Sequence, residues 1–299
     1  MYNLINNRFT SKYDGFKETS LFKVLKWRIS NIKTTKRIVD YKLKVARDLE
    51  LINSKKDFIS WLGHSTFLIQ IDGFRIITDP VMFNVPMFKR KVEFPYSVDE
   101  LGQIDYILIS HSHYDHLDIK SIKLLSKFSP TLITPLKMGR YLKSISNIKI
   151  IELDWFSKIK VSNDLTINFL PAKHWGRRGV FDTNKTLWGS FLINDIYFAG
   201  DTSYFSHFKE IGEKFKISKA LMPIGAYKPE EIMKSNHMNP KEAIQGSLDL
   251  KADEVIPMHF GTFKLSDEDF DEPIKLAYQE SKAHNIKLKE LNIGSGIYL

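Results

Sequence analysis

Leu108–Asp118 reads "LISHSHYDHLD", and three of the chain's nine histidines fall within six of its residues. The run in front of it, "YILIS", is short and apolar, the mark of a strand buried on both faces. A polar turn behind such a strand is ordinary, and its histidines would then be solvated. The alternative is a metal site, and it constrains the whole chain. Partners for these side chains must come from distant segments and be held rigidly. A sheet edge does this, because loops at strand ends carry functional residues on a stiff base.

The other candidates sit where such an edge would place them. His174 follows "TINFLPAK", Asp201 follows "IYFAG" and His259 follows "VIPM", each just beyond an apolar strand. In an extended or turning segment His111 and His113 point the same way and can share one ion. Asp115 and His116, past the turn, can face a second. His174 and His259 then supply a third ligand to each, and the carboxylate of Asp201 bridges. The chain has no cysteine, so neither thiolate ligands nor disulfides enter. Imidazole and carboxylate donors suit Zn2+, with Fe2+ or Mn2+ as alternatives. Two such ions about 3.5–4 Å apart can hold a bridging hydroxide and clamp the attacking and leaving oxygens of a displacement.

The surrounding pattern predicts alternating strands and helices. "FISWLG", "TFLIQID" and "FRIITDP" read as strands joined by tight turns, and "IKSIKLLSKF" as a helix. "TLITP", "LTINFLPAKHW", "ALMPIG", "DEVIPMHFG" and "IKLKELNI" read as further strands, and "SFLINDIYFAGD" as a hairpin around Asn-Asp. Asn239, Pro240 and Glu242 make a strong helix start in "NPKEAIQGSLDL". No fixed-period repeat or low-complexity linker interrupts residues 57–299, which are expected to form one α/β domain. Residues 1–56 precede it as a basic arm, with twelve Lys/Arg against five Asp/Glu in the first fifty positions. Within the arm, "TSLFKVLKWRISNIK" predicts an amphipathic helix with Leu21, Phe22, Leu25, Ile29 and Ile32 on one face. Two roles stand open for that face: docking on the protein's own core, or lying on an anionic membrane surface. No apolar run approaches the ~18 residues of a membrane span. The start lacks a secretory-signal layout. A cytoplasmic location, at most peripheral to the inner membrane, is expected.

The ligand pattern resembles that of the metallo-β-lactamase superfamily, whose αββα sandwich fits this order of elements. "WLGHSTFLIQIDGFRIITDPV", "DYILISHSHYDHLD", "PAKHWGRRGVFDTNKTLWGSF", "PIGAYKPEEIMKSNHMNPKEA" and "HFGTFKLSDEDFDEP" narrow the resemblance. They are similar to the N-acylphosphatidylethanolamine-hydrolysing phospholipase D family and its bacterial relatives. The resemblance implies that His111, His113 and His174 hold one zinc, Asp115, His116 and His259 the other, and that Asp201 bridges. It implies a supporting role for Asp79 in "ITDP", a plain Asp-Pro turn being the alternative. It places His237 of "SNHMNP" beside the substrate phosphate, the alternative being a helix cap. Tyr114, inside the ligand motif, is expected to line the pocket, and His64 in "GHST" to make a hydrogen bond behind the ligands. Arg177 and Arg178 either meet a phosphate through paired hydrogen bonds or are solvated. His207 and His284, in lysine-rich helical stretches, are expected on the surface.

On this resemblance the chain is expected to be a zinc-dependent phosphodiesterase of phospholipase D type. Its substrate would be N-acylphosphatidylethanolamine or a related phospholipid, cleaved to phosphatidic acid and an N-acylethanolamine by a metal-bridging hydroxide. Asp115 and His237 are the expected catalytic residues, His237 assisting the departing alkoxide. One metal core serves many substrates. A lactonase acting on a sugar-phosphate or acyl lactone, a metal-dependent nuclease and a non-enzymatic metal or lipid sensor are therefore rivals. Peripheral membrane contact through the arm and a homodimer are also expected. Nucleic acid is not, because no RNA-binding domain is recognisable.

Overall fold

The structure, a computed structural model, describes residues 2–11 and 43–299. Period-two patterning sets its architecture. In Phe58–Gly63, Ile59 and Trp61 join one core while Phe58 and Leu62 join another. In Thr66–Ile71, Phe67 and Ile69 oppose Leu68 in the same way. A sheet that is apolar on both faces must be covered on both. Its outer face is covered by the helix Ile119–Leu125, whose Ile122 and Leu125 pack with Phe58, Leu62 and Leu68. Its inner face meets a second sheet, where Phe169, Phe191 and Phe198 are fully buried.

Among the described residues there are two seven-stranded sheets. The first runs, across its width, Gly296–Tyr298, Phe58–Gly63, Thr66–Ile71, Phe74–Thr78, Tyr106–Leu108, Thr131–Pro135 and Lys149–Leu153. The second runs Lys287–Leu288, Glu254–Met258, Lys219–Pro223, Ile196–Phe198, Ser190–Ile193, Thr166–Leu170 and Lys158–Lys160. Each is parallel on one side, from Phe74–Thr78 onward in the first and from Ile196–Phe198 back to Lys287–Leu288 in the second. The helices His207–Lys214, Pro240–Asp249 and Glu272–Ala283 complete the outer layer with Phe208, Ile211, Ile244 and Ala277. The molecule is an αββα sandwich.

The expected helix start at Asn239 is present as a full capping box, with Glu242 returning a hydrogen bond to the Asn239 backbone. The hairpin of "SFLINDIYFAGD" turns at Asn194, which adopts φ 51°. One expectation fails. His207 is fully buried, stacked on Phe205 at 3.5 Å and beside Phe208 at 4.0 Å. It opens its helix on the face that also carries Phe208 and Ile211, so position on the helix outweighed the lysines around it. His284 does lie at the surface, 3.8 Å from Glu280.

Both described ends of the 1–56 segment pack on the domain. Tyr2–Ile5 and Arg8–Ser11 form a hairpin that buries Phe9. Its Tyr2 hydroxyl donates to Asp154 at 2.9 Å, and Phe9 N donates to Asn184 O at 2.7 Å. Leu43 and the short helix Leu49–Ile52 return to the core. Deleting the first fifty residues would therefore strip core side chains along with any docking helix. The helix predicted over 19–33 lies outside the described residues. No helix among the described residues is long and apolar enough to cross a membrane.

Candidate metal centre

The sheets deliver their polar residues to one edge. Asp79 follows the strand Phe74–Thr78, the 111–116 cluster follows Tyr106–Leu108, and His174 lies beyond Thr166–Leu170. Asp201 and His259 follow Ile196–Phe198 and Glu254–Met258. His64 occupies the turn between Phe58–Gly63 and Thr66–Ile71. Three of these residues, His64, Asp79 and His259, adopt left-handed backbone at φ 54°, 33° and 61°. Such conformations cost energy in residues other than glycine and concentrate at functional sites.

Two four-residue groups of donors form, and two overlapping triads, Asp79 with His111 and His116 and Asp201 with His237 and His259, lie beside them. His111, His113, His174 and Asp201 can each offer an atom within 4.8 Å of the others. The same holds for His64, Asp115, His116 and His259. Asp201 joins the groups: its Oδ2 lies 3.9 Å from His111 Nε2, 3.8 Å from His174 Nε2 and 3.2 Å from His116 Nε2. Its Oδ1 lies 3.1 Å from His259 Nε2. Asp115 Oδ2 is 3.7 Å from His116 Nε2, 3.6 Å from His259 Nε2 and 3.1 Å from His64 Nε2.

Hydrogen bonds behind the cluster decide which ring nitrogens face inward. With Asp79 ionised, Ser110 Oγ and His116 Nδ1 both donate to its Oδ2, at 2.6 and 2.7 Å, and Ser110 N donates to Oδ1 at 2.7 Å. Ser110 Oγ is then the acceptor for His111 Nδ1 at 2.9 Å. One buried carboxylate thus sets the tautomer of a histidine in each group. His174 Nδ1 donates to the Asn236 carbonyl at 2.9 Å. In neutral rings this leaves the Nε2 atoms of His111, His116 and His174 as lone pairs, the form in which imidazole binds a metal.

These lone pairs have too few donors to meet. His111 Nε2 and His174 Nε2 both face His113 Nδ1, at 2.9 and 3.1 Å, and one ring N–H cannot serve two acceptors well. His116 Nε2, His259 Nε2 and Asp201 Oδ1 are buried without an aligned hydrogen-bond partner. Buried polar atoms are rarely left this way. Ring nitrogens and carboxylate oxygens that converge without aligned partners suit a bound cation, which would take up the lone pairs of neutral rings and displace the protons of charged ones, so the residues fit a metal in both groups.

Electrostatics agree with that fit. Burial lowers His111 and His174 well below the ordinary histidine range and His113 to about 4, making them neutral ligands at pH 7. Burial acts the same way on His116 and His259, but the carboxylates of Asp201 and Asp115 override it. They raise His116 well above its usual value and His259 to about 9. Against burial, which would raise them, Asp115 and Asp201 are held well below the carboxylate range by His116 foremost among the histidines. Metal binding there would release protons. Burial pushes the Asp79 carboxyl up, against the pull of His116 and Ser110.

Around the mouth, His113, Asp115 and His237 are half-buried and Tyr114 is exposed. His237 Nδ1 lies 3.8 Å from Asp201 Oδ2, and burial lowers its pKa. The Tyr114 hydroxyl donates to Arg178 O at 2.8 Å, and the Arg178 guanidinium lies 4.1 Å over the Tyr114 ring. Arg178 also donates to the Ser112 and Leu117 carbonyls at 3.1 and 2.6 Å, so it clamps the ligand loop. Arg177 stays on its own loop, donating from Nε to Gly179 O at 2.8 Å. His64 is buried, with its Nε2 3.1 Å from Asp115 Oδ2. Sequence reading missed Ser110, the Asn236 carbonyl and Trp175, whose ring stands edge-on to His113 at 4.6 Å. Ser110 adjoins the motif and was within reach. A backbone carbonyl leaves no mark in residue identity.

Comparison with known proteins matches residues 74–260 to a family described as a β-lactamase superfamily domain. The mitochondrial N-acyl-phosphatidylethanolamine-hydrolyzing phospholipase D of Saccharomyces cerevisiae is 40% identical over 231 residues, 72% of this chain. The match takes up 49% of the yeast protein, about half its length. N-acyl-phosphatidylethanolamine-hydrolyzing phospholipase D 1 of Caenorhabditis elegans is 32% identical over 278 residues, 84% of this chain and 78% of that protein. Among solved structures, a metallo hydrolase from the archaeon Ignicoccus hospitalis shares the fold with a TM-score of 0.65 at 22% identity. That superposition covers 82% of this chain and 98% of the archaeal one.

Proposed function

The chain belongs to the β-lactamase superfamily, and on that premise we propose that it is a binuclear zinc phosphodiesterase of phospholipase D type. Its proposed substrate is N-acylphosphatidylethanolamine or a related phospholipid. The observation that carries the reading is two groups of ligating side chains meeting at one buried carboxylate, Asp201. The likeness to two proteins named as N-acyl-phosphatidylethanolamine-hydrolyzing phospholipases D supports the substrate.

His111, His113 and His174 would hold one ion and Asp115, His116 and His259 the other, with Asp201 shared. A donor set of imidazole and carboxylate suits Zn2+. Held there, the ions would supply hydroxide near neutral pH and a Lewis-acid contact for a phosphoryl oxygen. The chain's own residues do the rest. Asp79, Ser110 and Asn236 fix the ligand tautomers. His64 orients Asp115. His237, neutral at pH 7 because burial lowers it, has one N–H for a phosphate oxygen or the departing alkoxide. Tyr114 offers its ring, since its hydroxyl already serves Arg178.

His237→Gln should lower kcat about 10²-fold on a soluble diester, the scale of one general acid or oxyanion donor. Its zinc content, measured by plasma mass spectrometry, should stay at the wild-type level. Zinc loss in that variant would make His237 a ligand instead of a substrate contact.

A further inference from the structure

The three most exposed large apolar side chains among the described residues are Phe181, Met87 and Val180, at 79, 76 and 71% exposure. They sit on the two loops that flank the metal cluster. One loop follows the strand Phe74–Thr78 and the other follows Thr166–Leu170, so both leave the ligand edge. They reach the cluster from opposite ends. Val81, Val85 and Phe88 of the first pack on Phe263, whose ring lies 5.1 Å from that of His64. The second passes Trp175 beside His113 and clamps Tyr114 through Arg178. Phe83, on the first loop, is exposed as well.

Single exposed apolar residues are normal; a group of them around an active-site mouth marks a contact surface. These are held out on stiffened turns. Val85 and Phe88 exchange both backbone hydrogen bonds, at 3.1 and 3.0 Å, around Pro86 and Met87. Met87 takes φ 72°, a conformation that favours glycine. In the second loop Asp182 accepts from Gly179 N at 2.8 Å, Arg178 N at 3.1 Å and the Tyr141 hydroxyl at 2.7 Å. Arg8 donates to the carbonyls of Phe181, at 3.1 Å, and Thr183. Little is left to order when such tips bind. The charge beside them is positive: exposed Lys89 and Lys91 follow the first tip, and Arg177 and Lys185 bracket the second, where Asp182 is the one acid.

We propose that this edge is a lipid-docking surface, with Phe83, Met87, Val180 and Phe181 entering an anionic bilayer interface while the basic residues meet its headgroups. The proposal rests on the phospholipase reading for its purpose, since docking here turns the metal cluster toward the lipid phosphodiester. Apolar insertion and electrostatic attraction are the two terms that hold a protein at such an interface.

The test is co-sedimentation of the full chain with mixed phosphatidylcholine–phosphatidylglycerol vesicles and with pure phosphatidylcholine vesicles. Wild type should bind the mixed vesicles and bind pure phosphatidylcholine more weakly. Val180→Ser/Phe181→Ser and Phe83→Ser/Met87→Ser should each weaken binding about tenfold or more, with unchanged melting temperature and unchanged turnover of a soluble diester. Wild-type affinity in both double variants, or no wild-type binding, would overturn the proposal. So would self-association of the free chain that Val180→Ser/Phe181→Ser abolishes without any vesicle binding. Loop-dependent binding by a protein that hydrolyses no diester would uphold the docking surface and overturn the phospholipase reading.

Discussion

Asp201→Ala should lower turnover by roughly 10³-fold or more, because in the proposed binuclear centre the position of the nucleophile would depend on both ions. Asp201 places its oxygens between 3.1 and 3.9 Å from the Nε2 atoms of four histidines drawn from both groups. Its removal takes negative charge from between His116 and His259, whose pKa values Asp201 and Asp115 raise against burial in the metal-free protein. Among the described residues no neighbouring carboxylate can replace it: Asp115 faces His64, His116 and His259, and Asp79 lies behind His111 and His116. Excess zinc should therefore fail to restore activity. Near-normal turnover in this variant, measured on a soluble diester at saturating zinc, would remove Asp201 from the bridging position.

Asp79→Asn should weaken zinc affinity by about 10–100-fold, the usual effect of removing a carboxylate that orients metal-binding histidines. The substitution is nearly isosteric, so the cause is hydrogen-bond direction. Asp79 accepts from Ser110 N on one oxygen, and from Ser110 Oγ and His116 Nδ1 on the other. An amide has one oxygen. Facing His116, its NH2 group would force the ring proton onto Nε2, where the lone pair must be. Turned the other way, that NH2 group would meet the Ser110 N–H. In the first orientation His116 loses its metal-binding tautomer, and through Ser110 Oγ the change reaches His111; in the second both rings keep theirs, but the repelled Ser110 backbone shifts the residue that supports His111. Unlike Asp201→Ala, this variant should recover most of its activity at high zinc. A zinc titration of both variants separates the two roles, and unchanged affinity in Asp79→Asn would show that Asp79 does not set the tautomers.

Much of this was legible in the chain because it depends on local pattern. The strand-end positions of His111, His113, His174, Asp201 and His259 follow from short apolar runs, and the helix at Asn239 follows from its own capping box. What escaped depends on contacts between distant segments. The strand Gly296–Tyr298 exists because it pairs with Phe58–Ser60, and the docked hairpin Tyr2–Ser11 because Phe9 finds the core. His207 was misplaced because lysines around it described the exposed face of its helix, while the residue itself turned inward. Arg178 can be read in sequence as a phosphate contact or as a solvated residue, and in the structure it donates to the carbonyls of Ser112 and Leu117. Nothing in residue type distinguishes an arginine that holds a loop from one that holds a ligand.

The most direct measurement is mass spectrometry of products from purified, zinc-loaded protein incubated with N-acylphosphatidylethanolamine in mixed micelles. Expected are phosphatidic acid and N-acylethanolamine in equal amounts, both abolished by a chelator and by Asp201→Ala. Absence of both products, from protein shown to carry about two zinc ions per chain, would contradict the phospholipase D assignment and leave only the metal centre standing.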